Sequence, residues 1–317
     1  MNKLFFMKNP ELFQGEKYLK ENKDYFEGWY FKITNVNYSI SFIPGINIDA
    51  KEKKAFIQVI TKDSSYFVNY NINDFKYSYN PFYIQIGNSI FSKEKINVDI
   101  VENSKNLKIT GNINYYDSKN INIDFLNPNI MGPFSYIPNM ECNHAILSMK
   151  NKTSGVIHIN NIEMNFNKGT GYIEKDWGYS FPKAYIWCQG NDFKEANASF
   201  MVSIANIPFK FFSFQGIICV LIINGKEYKF TTYNNAKLIK YNVYNNSMDI
   251  TLKKGNYLLN IKSEYSSENK LLAPVKGKMA KDIFESITSL VHVTLLNGKN
   301  IIFENTSKNC GLEIVQR

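Results

Sequence analysis

The chain has 317 residues, is 44% hydrophobic and 21% charged, and carries a formal net charge of +9. That composition excludes a disordered or collagen-like chain and leaves room for two modest domains or one large β domain. The positive balance raises nucleic acid or an anionic membrane as partners, but the lysines are scattered, with only short runs such as Lys51–Lys54. A solvated lysine-rich surface is the expected reading, and no nucleic acid is expected.

Asn9-Pro10 before Glu11 predicts a helix start, and a short helix to about Lys20 within a lead-in over residues 1–23. The Leu4–Met7 run is too short for a signal-peptide core, and no segment reaches the length of a membrane span. The expected location is the cytoplasm, with peripheral contact at a membrane surface. From Phe26 the text is strand-like. Phe26–Thr34, Tyr38–Ile43, Ala55–Thr61, Tyr66–Asn71, Phe82–Phe91, Ile96–Val101, Leu107–Tyr116 and Ile121–Phe125 are rich in aromatic and β-branched residues. Ile96, Val98 and Ile100 alternate with polar residues, as in a half-buried strand.

Pro128, Pro133 and Pro138, with Gly132, interrupt the series and cannot sit in a central strand. A boundary is placed there, giving an N-terminal β domain over 24–130 and a second over 131–317. The second half resumes at Cys142–Met149, Gly155–Phe166, the Gly169–Asn191 stretch, Ala198–Ile207 and Phe211–Ile223. Asn224-Gly225 then signals a hairpin into Lys226–Thr232. Lys237–Tyr244, Met248–Lys253 and Tyr257–Ser263 follow, Lys278–Ser286 reads as a short helix, and a last hairpin turns at Asn297-Gly298. The class is all-β, a barrel or sandwich in each half. Cys142, Cys188, Cys219 and Cys310 show no CxxC spacing. Buried free thiols are expected, although an even count permits a disulfide.

The chemistry concentrates between Gly169 and Asn191. As a strand, Tyr172–Trp177 puts Tyr172, Glu174 and Asp176 on one face and Ile173, Lys175 and Trp177 on the other. A second strand puts Tyr185, Trp187, Gln189 and Asn191 on one face. Two neighbouring carboxylates among rings raise each other's pKa, and a carboxyl kept neutral can donate a proton. The plainer alternative has Asp176 capping the turn at Gly178 and Glu174 paired with a lysine. His144 opens an apolar strand, and a lone histidine there is more often a satisfied core residue than a catalyst. Glu27 and Trp29 share a face in Glu27-Gly28-Trp29-Tyr30, where Trp29 could equally plug a barrel end. No histidine spacing suggests a metal site, and no G-x-S-x-G or phosphate loop is present.

Phe26-Glu27-Gly28-Trp29-Tyr30-Phe31, Gly171–Pro182 and Trp187-Cys188-Gln189-Gly190-Asn191 together resemble the tocopherol cyclase family, as do Leu272-Ala273-Pro274 and Gly311-Leu312-Glu313. That family is similar to carotenoid 1,2-hydratases and AttH-like calycins. The resemblance implies two lipocalin-like antiparallel barrels side by side, no cofactor, and a hydrophobic ligand such as a prenylated quinol or isoprenoid. It implies non-oxidative, acid-catalysed cyclisation or hydration of a prenyl double bond. Glu174 would be the proton donor, with His144 or Tyr172 tuning it and Asp176 in a less defined role. Glu27, Trp29, Tyr30, Trp177, Tyr185, Trp187, Gln189 and Asn191 would contact substrate. A deep, mostly apolar cavity near the junction of the halves is expected. The alternative is a non-catalytic binder of a hydrophobic lipid.

Overall fold

The computed structural model describes residues 3–194, 196–209, 212–244, 247–265 and 268–316. Phe211, the predicted start of one strand, lies outside them. The chain divides into two compact units, one of Met1–Phe181 with Leu271–Asp282, the other of Pro182–Lys270 with Ile283–Arg317. The division falls after Phe181 rather than at 130–131. The proline-rich stretch is instead a connection within the first unit, because the strands on its two sides pair with each other.

The first unit begins with two short helices, α1 (Lys3–Lys8) and α2 (Glu16–Glu21). The predicted single helix from Pro10 is absent: Asn9 and Pro10 follow the end of α1, and Pro10–Gln14 runs without helix between the two. Twelve strands follow: β1 (Tyr25–Thr34), β2 (Ser39–Ile48), β3 (Lys53–Thr61), β4 (Ser65–Asn71), β5 (Phe75–Tyr79), β6 (Phe82–Ile86), β7 (Ser89–Phe91), β8 (Lys95–Glu102), β9 (Leu107–Lys119), β10 (Cys142–Ile159), β11 (Ile162–Asn165) and β12 (Gly169–Gly178). Ile121–Phe125, predicted as a strand, is irregular. Hydrogen bonding runs β4-β3-β2-β1-β12-β10-β9-β8-β7-β6-β5, with β11 on β10. Alternate residues from strands at both ends of that order, such as Val68 and Phe75, join Trp29, Phe31, Phe42, Ile57, Ile100 and Ile173 in one buried cluster. The sheet therefore curls around a single core, as the period of two requires once one face is apolar.

Gly155 lets β10 run unbroken where the sequence suggests two strands. Its φ is +137°, and a Cβ would stand 2.1 Å from the Asn112 carbonyl oxygen. Only glycine fits such an approach.

The second sheet comprises β13 (Tyr185–Gly190), β14 (Asp192–Phe193), β15 (Ala198–Phe209), β16 (Phe212–Ile223), β17 (Lys226–Thr231), β18 (Lys237–Tyr244), β19 (Ser247–Lys254), β20 (Tyr257–Glu264), β21 (Asn269–Val275), β22 (Lys278–Asn297) and β23 (Asn300–Val315), with Leu271–Asp282, most of β21 and the start of β22, belonging to the first unit. The order is β17-β16-β15-β13-β23-β22-β20-β19-β18, again around one apolar cluster, including Cys188, Phe200, Leu221, Ile250 and Leu259. Both units have a lipocalin-like β architecture.

The helix predicted at Lys278–Ser286 is the start of β22. Its residues turn back at Lys276 and Gly277, both with positive φ, and continue as one strand into the last hairpin, predicted at Asn297-Gly298. Hairpin pairing with β21 overrides the local helix propensity of the Met279–Lys281 stretch. The turn is held in the first unit by Gln58, which donates to the Leu272 carbonyl at 3.1 Å and accepts from its amide at 2.9 Å. At Gly277 a Cβ would fall 1.7 Å from the Ile48 oxygen, so the turn seats only as glycine. No helix among the described residues is long and apolar enough to cross a membrane.

Candidate functional site

The register of β12 between β1 and β10 assembles the site. Glu174 lies opposite Tyr30 of β1 and Ile146 of β10, and Asp176 lies opposite His144. Directly opposed residues share a face, so Tyr172, Glu174, Asp176, His144 and Tyr30 collect on the face turned away from the core. Ile173, Lys175, Trp29 and Ala145 take the core face.

His144 Nδ1 is 2.9 Å from Asp176 Oδ1, and its Nε2 is 3.5 Å from Glu174 Oε2. The Tyr172 hydroxyl donates to that same Glu174 oxygen at 2.5 Å. The Tyr30 ring meets the Tyr172 ring edge to face at 6.4 Å, and Tyr30 Oη accepts from Ser41 at 2.9 Å. Cys142 Sγ approaches Asp176 Oδ1 at 3.8 Å, and Met131 Sδ lies 3.1 Å from the His144 amide. Glu174 and Tyr172 are buried and His144 nearly so. Tyr172 is held well above the ordinary tyrosine range by burial and by the Glu174 charge, so it stays a hydrogen-bond donor.

Burial alone would lower the His144 pKa. The charges of Asp176 and Glu174 outweigh it and raise the value to about 9. At neutral pH the ring is therefore an imidazolium between two carboxylates. Because the folded value exceeds the ordinary 6.5, its stabilising contribution is full below about pH 6.5 and is lost as pH climbs through about 9. An NMR titration of the His144 ring should give a midpoint near 9, and His144→Gln should remove that part of the alkaline stability loss. A midpoint at 6.5 would contradict the charged sandwich.

His144, Glu174 and Asp176 bring potential metal-ligand atoms within 4.8 Å of one another. Their arrangement fits an ion poorly. The two carboxylates stand against different ring nitrogens, so one ion on a single nitrogen would not have both carboxylates beside it as ligands. Alternating carboxylate, imidazole and carboxylate suits proton sharing instead.

The other predicted contacts divide. Glu27, Trp29 and Trp177 do not join the site: they share the opposite face of the sheet. Trp29 is fully buried there in the core cluster, its Nε1 donating to the Glu11 carbonyl at 2.8 Å. Lys175 Nζ sits 2.5 Å from Glu27 Oε1, 4.8 Å from the Trp29 ring centre and 4.9 Å from that of Trp177. Tyr185, Trp187 and Gln189 belong to β13 in the second unit, where Tyr185 donates to Glu313 at 2.5 Å, and Asn191 follows directly. All four are buried. Ser41, Cys142 and Met131 escape a reading of the sequence, because only strand pairing and the long β9–β10 connection bring them in. Lys175 escapes it too as the partner of Glu27, although a lysine on the Trp177 face needs a carboxylate. No disulfide links the four cysteines.

Two curled antiparallel sheets, one carrying this buried acid–imidazole face, make a lipocalin-like β fold. The chain belongs to the tocopherol cyclase-like family, whose model matches residues 124–315. Solved structures share the fold at low identity. CghA, solved with Sch210972, superposes with a TM-score of 0.56 at 9% identity, covering 92% of this chain and 88% of its own. An AttH-type protein of Nitrosomonas europaea gives 0.54 at 10%, covering 93% of each chain. Kievitone hydratase from Nectria haematococca gives 0.55 at 10%, covering 93% and 89%. No curated protein sequence matches the chain.

Proposed function

We propose that the protein catalyses non-oxidative addition across a prenyl double bond, closing a ring with a phenol oxygen or adding water. The observation that carries this reading is His144 held between Asp176 and Glu174, with Tyr172 on Glu174. Protonating an alkene demands a strong acid. An imidazolium with a pKa near 9 holds its proton too tightly for that task, whereas a carboxylic acid is several powers of ten stronger. His144 is thus the reservoir and Glu174 the delivering acid, in the minor state where the shared proton has moved onto the carboxyl.

The proton goes to the less substituted alkene carbon and leaves a tertiary cation. The Tyr30 and Tyr172 rings, edge to face, offer π density to that cation. Attack by the phenol oxygen, or by water, forms the new C–O bond. The proton it releases returns to Glu174 and His144, so no oxidant or reductant is needed. Family membership and the name of kievitone hydratase support this class of reaction.

The test is turnover of prenylated phenols and hydroquinones in heavy water. The expected product carries one non-exchangeable deuterium on the carbon next to the new tertiary C–O centre. Ligand binding without any product would mark a lipid binder, and product lacking deuterium would exclude alkene protonation.

A further inference from the structure

Gly28 lies inside β1, and nothing in the fold demands a glycine there. Its φ is outside the left-handed region, and a Cβ would meet only Ile43 Cγ2 at 3.7 Å and the Pro44 carbonyl oxygen at 3.9 Å, both ordinary contacts. The register steps evenly through Glu27, Gly28 and Trp29, opposite Trp177, Asp176 and Lys175. A bend or bulge that needed glycine would show as a left-handed φ, a clash at Cβ or a register shift, and none is present. Gly45, directly opposite on β2, is different: a Cβ there would stand 2.6 Å from Phe56 Cζ and 2.7 Å from the Glu27 carbonyl oxygen. A glycine within a strand weakens it and packs nothing, and where the fold does not require it the usual reason is the close approach of a ligand.

The open position faces the acid site. Gly28 is directly opposite Asp176, and Asp176 is opposite His144, so all three share the face that carries Glu174. Phe26 and Tyr30 stand on that face two residues to either side. Both are buried, Phe26 edge-on to Phe181 at 5.3 Å and Tyr30 held by Tyr172 and Ser41, whereas Gly28 between them is only half-buried. Solvent therefore reaches bare backbone between two fixed rings. Beside it the Asp176 side chain is 23% exposed. Its Oδ1 serves His144 Nδ1 and the Cys142 thiol, while Oδ2 has no hydrogen-bond partner among the described residues.

We propose that Gly28 is a specificity-determining residue of this site: the part of the substrate that carries the attacking oxygen lies against its bare backbone, with its hydroxyl on Asp176 Oδ2. The absent side chain sets how thick that part can be. Asp176 and Glu174 are two residues apart on one face, about 7 Å along the strand, so a hydroxyl at one and an alkene at the other can belong to one molecule. This seat rests on the alkene protonation proposed above and adds where the second reactant lies.

The experiment is an equilibrium binding titration of the full chain with 2-prenylhydroquinone and with geraniol, which has the prenyl alkene but no ring. Wild type should bind the hydroquinone about tenfold more tightly, and Gly28→Val should abolish that preference, with geraniol changed by less than about twofold. Gly28→Ala, whose methyl group fits the free protein, should show a smaller loss of the same kind at a melting temperature no lower than wild type. The dimethyl ether of the hydroquinone, with no hydroxyl to donate, should bind wild type more weakly than the hydroquinone does. A Gly28→Val chain that binds the hydroquinone as wild type does overturns the proposal. So does an equal loss of both probes, a wild type that binds the two alike or binds neither, or a fall in melting temperature for Gly28→Ala, since the space would then belong to the fold. Binding is read without turnover. Deuterium incorporation without ring preference would refute the seat and keep the acid mechanism, and ring-dependent binding without product would do the reverse.

Discussion

Glu174→Gln is expected to lower turnover of a prenylated quinol by about 10²–10⁴-fold, the usual contribution of a positioned general acid, while ligand binding persists. Glutamine has nearly the shape of glutamate. Its carbonyl oxygen can still accept from Tyr172 and keep the strand face packed, but it cannot receive a proton from His144 or pass one on. The loss should fall on kcat, because the carboxyl acts on the alkene only as charge develops. Initial rates and a ligand-quenching titration on the same preparation separate the two effects. Unchanged product formation by the variant would remove Glu174 from the mechanism, however well the pair is placed.

The largest stability effect is expected on the other face of the same strand. Lys175 and Glu27 are fully buried, and burial pushes the Glu27 carboxyl up and the Lys175 ammonium down, toward their neutral forms. What keeps the pair charged is saturation with partners. Lys175 Nζ also donates to the carbonyls of Pro10 at 2.8 Å and Leu12 at 2.7 Å, and Glu27 accepts from Tyr25 at 2.7 Å and from the Gln14 amide at 3.0 Å. Lys175→Met leaves a buried carboxylate and two carbonyls without that ammonium. It should cost about 3–5 kcal/mol, a fall in Tm of roughly 10 °C for a unit of this size. Glu27→Gln added to Lys175→Met should recover much of the loss, since the neutral pair no longer strands a charge. Urea melts of the single and double variants measure both. A single variant within about 1 kcal/mol of wild type would mean that water reaches the pair.

Alternation makes the acidic face of β12 legible in the amino-acid order alone: the period of two in Tyr172-Ile173-Glu174-Lys175-Asp176-Trp177 is unambiguous. Alternation separates Trp177 from Glu174 correctly but does not say which face turns toward the core, and the substrate contacts at Trp29 and Trp177 that the resemblance implies fall on the core face. A ligand wall containing every tryptophan neglects the cost of Lys175 beside Trp177, which only a buried Glu27 satisfies. His144 cannot be assigned from its own neighbours, because its role comes from a cross-strand register with Asp176. The prolines at 128, 133 and 138 do end a strand, as expected, but a broken strand is not a broken domain. β10 and β12 on their far side complete the first sheet. The strand at Lys278 reads as a helix for the same reason, since its state depends on a hairpin partner and not on its own residues.

The pairing of β1 with β12 has a consequence for how the polypeptide is made. While the ribosome is still synthesising the middle of the chain, β1 has β2 on one side and a raw edge on the other, and the Pro10 and Leu12 carbonyls wait for an ammonium not yet translated. The Leu271–Asp282 turn that seats on Gln58 emerges later still. The nascent first unit thus spends much of translation with an open sheet edge and an exposed apolar lining, the condition in which chains aggregate or recruit chaperones.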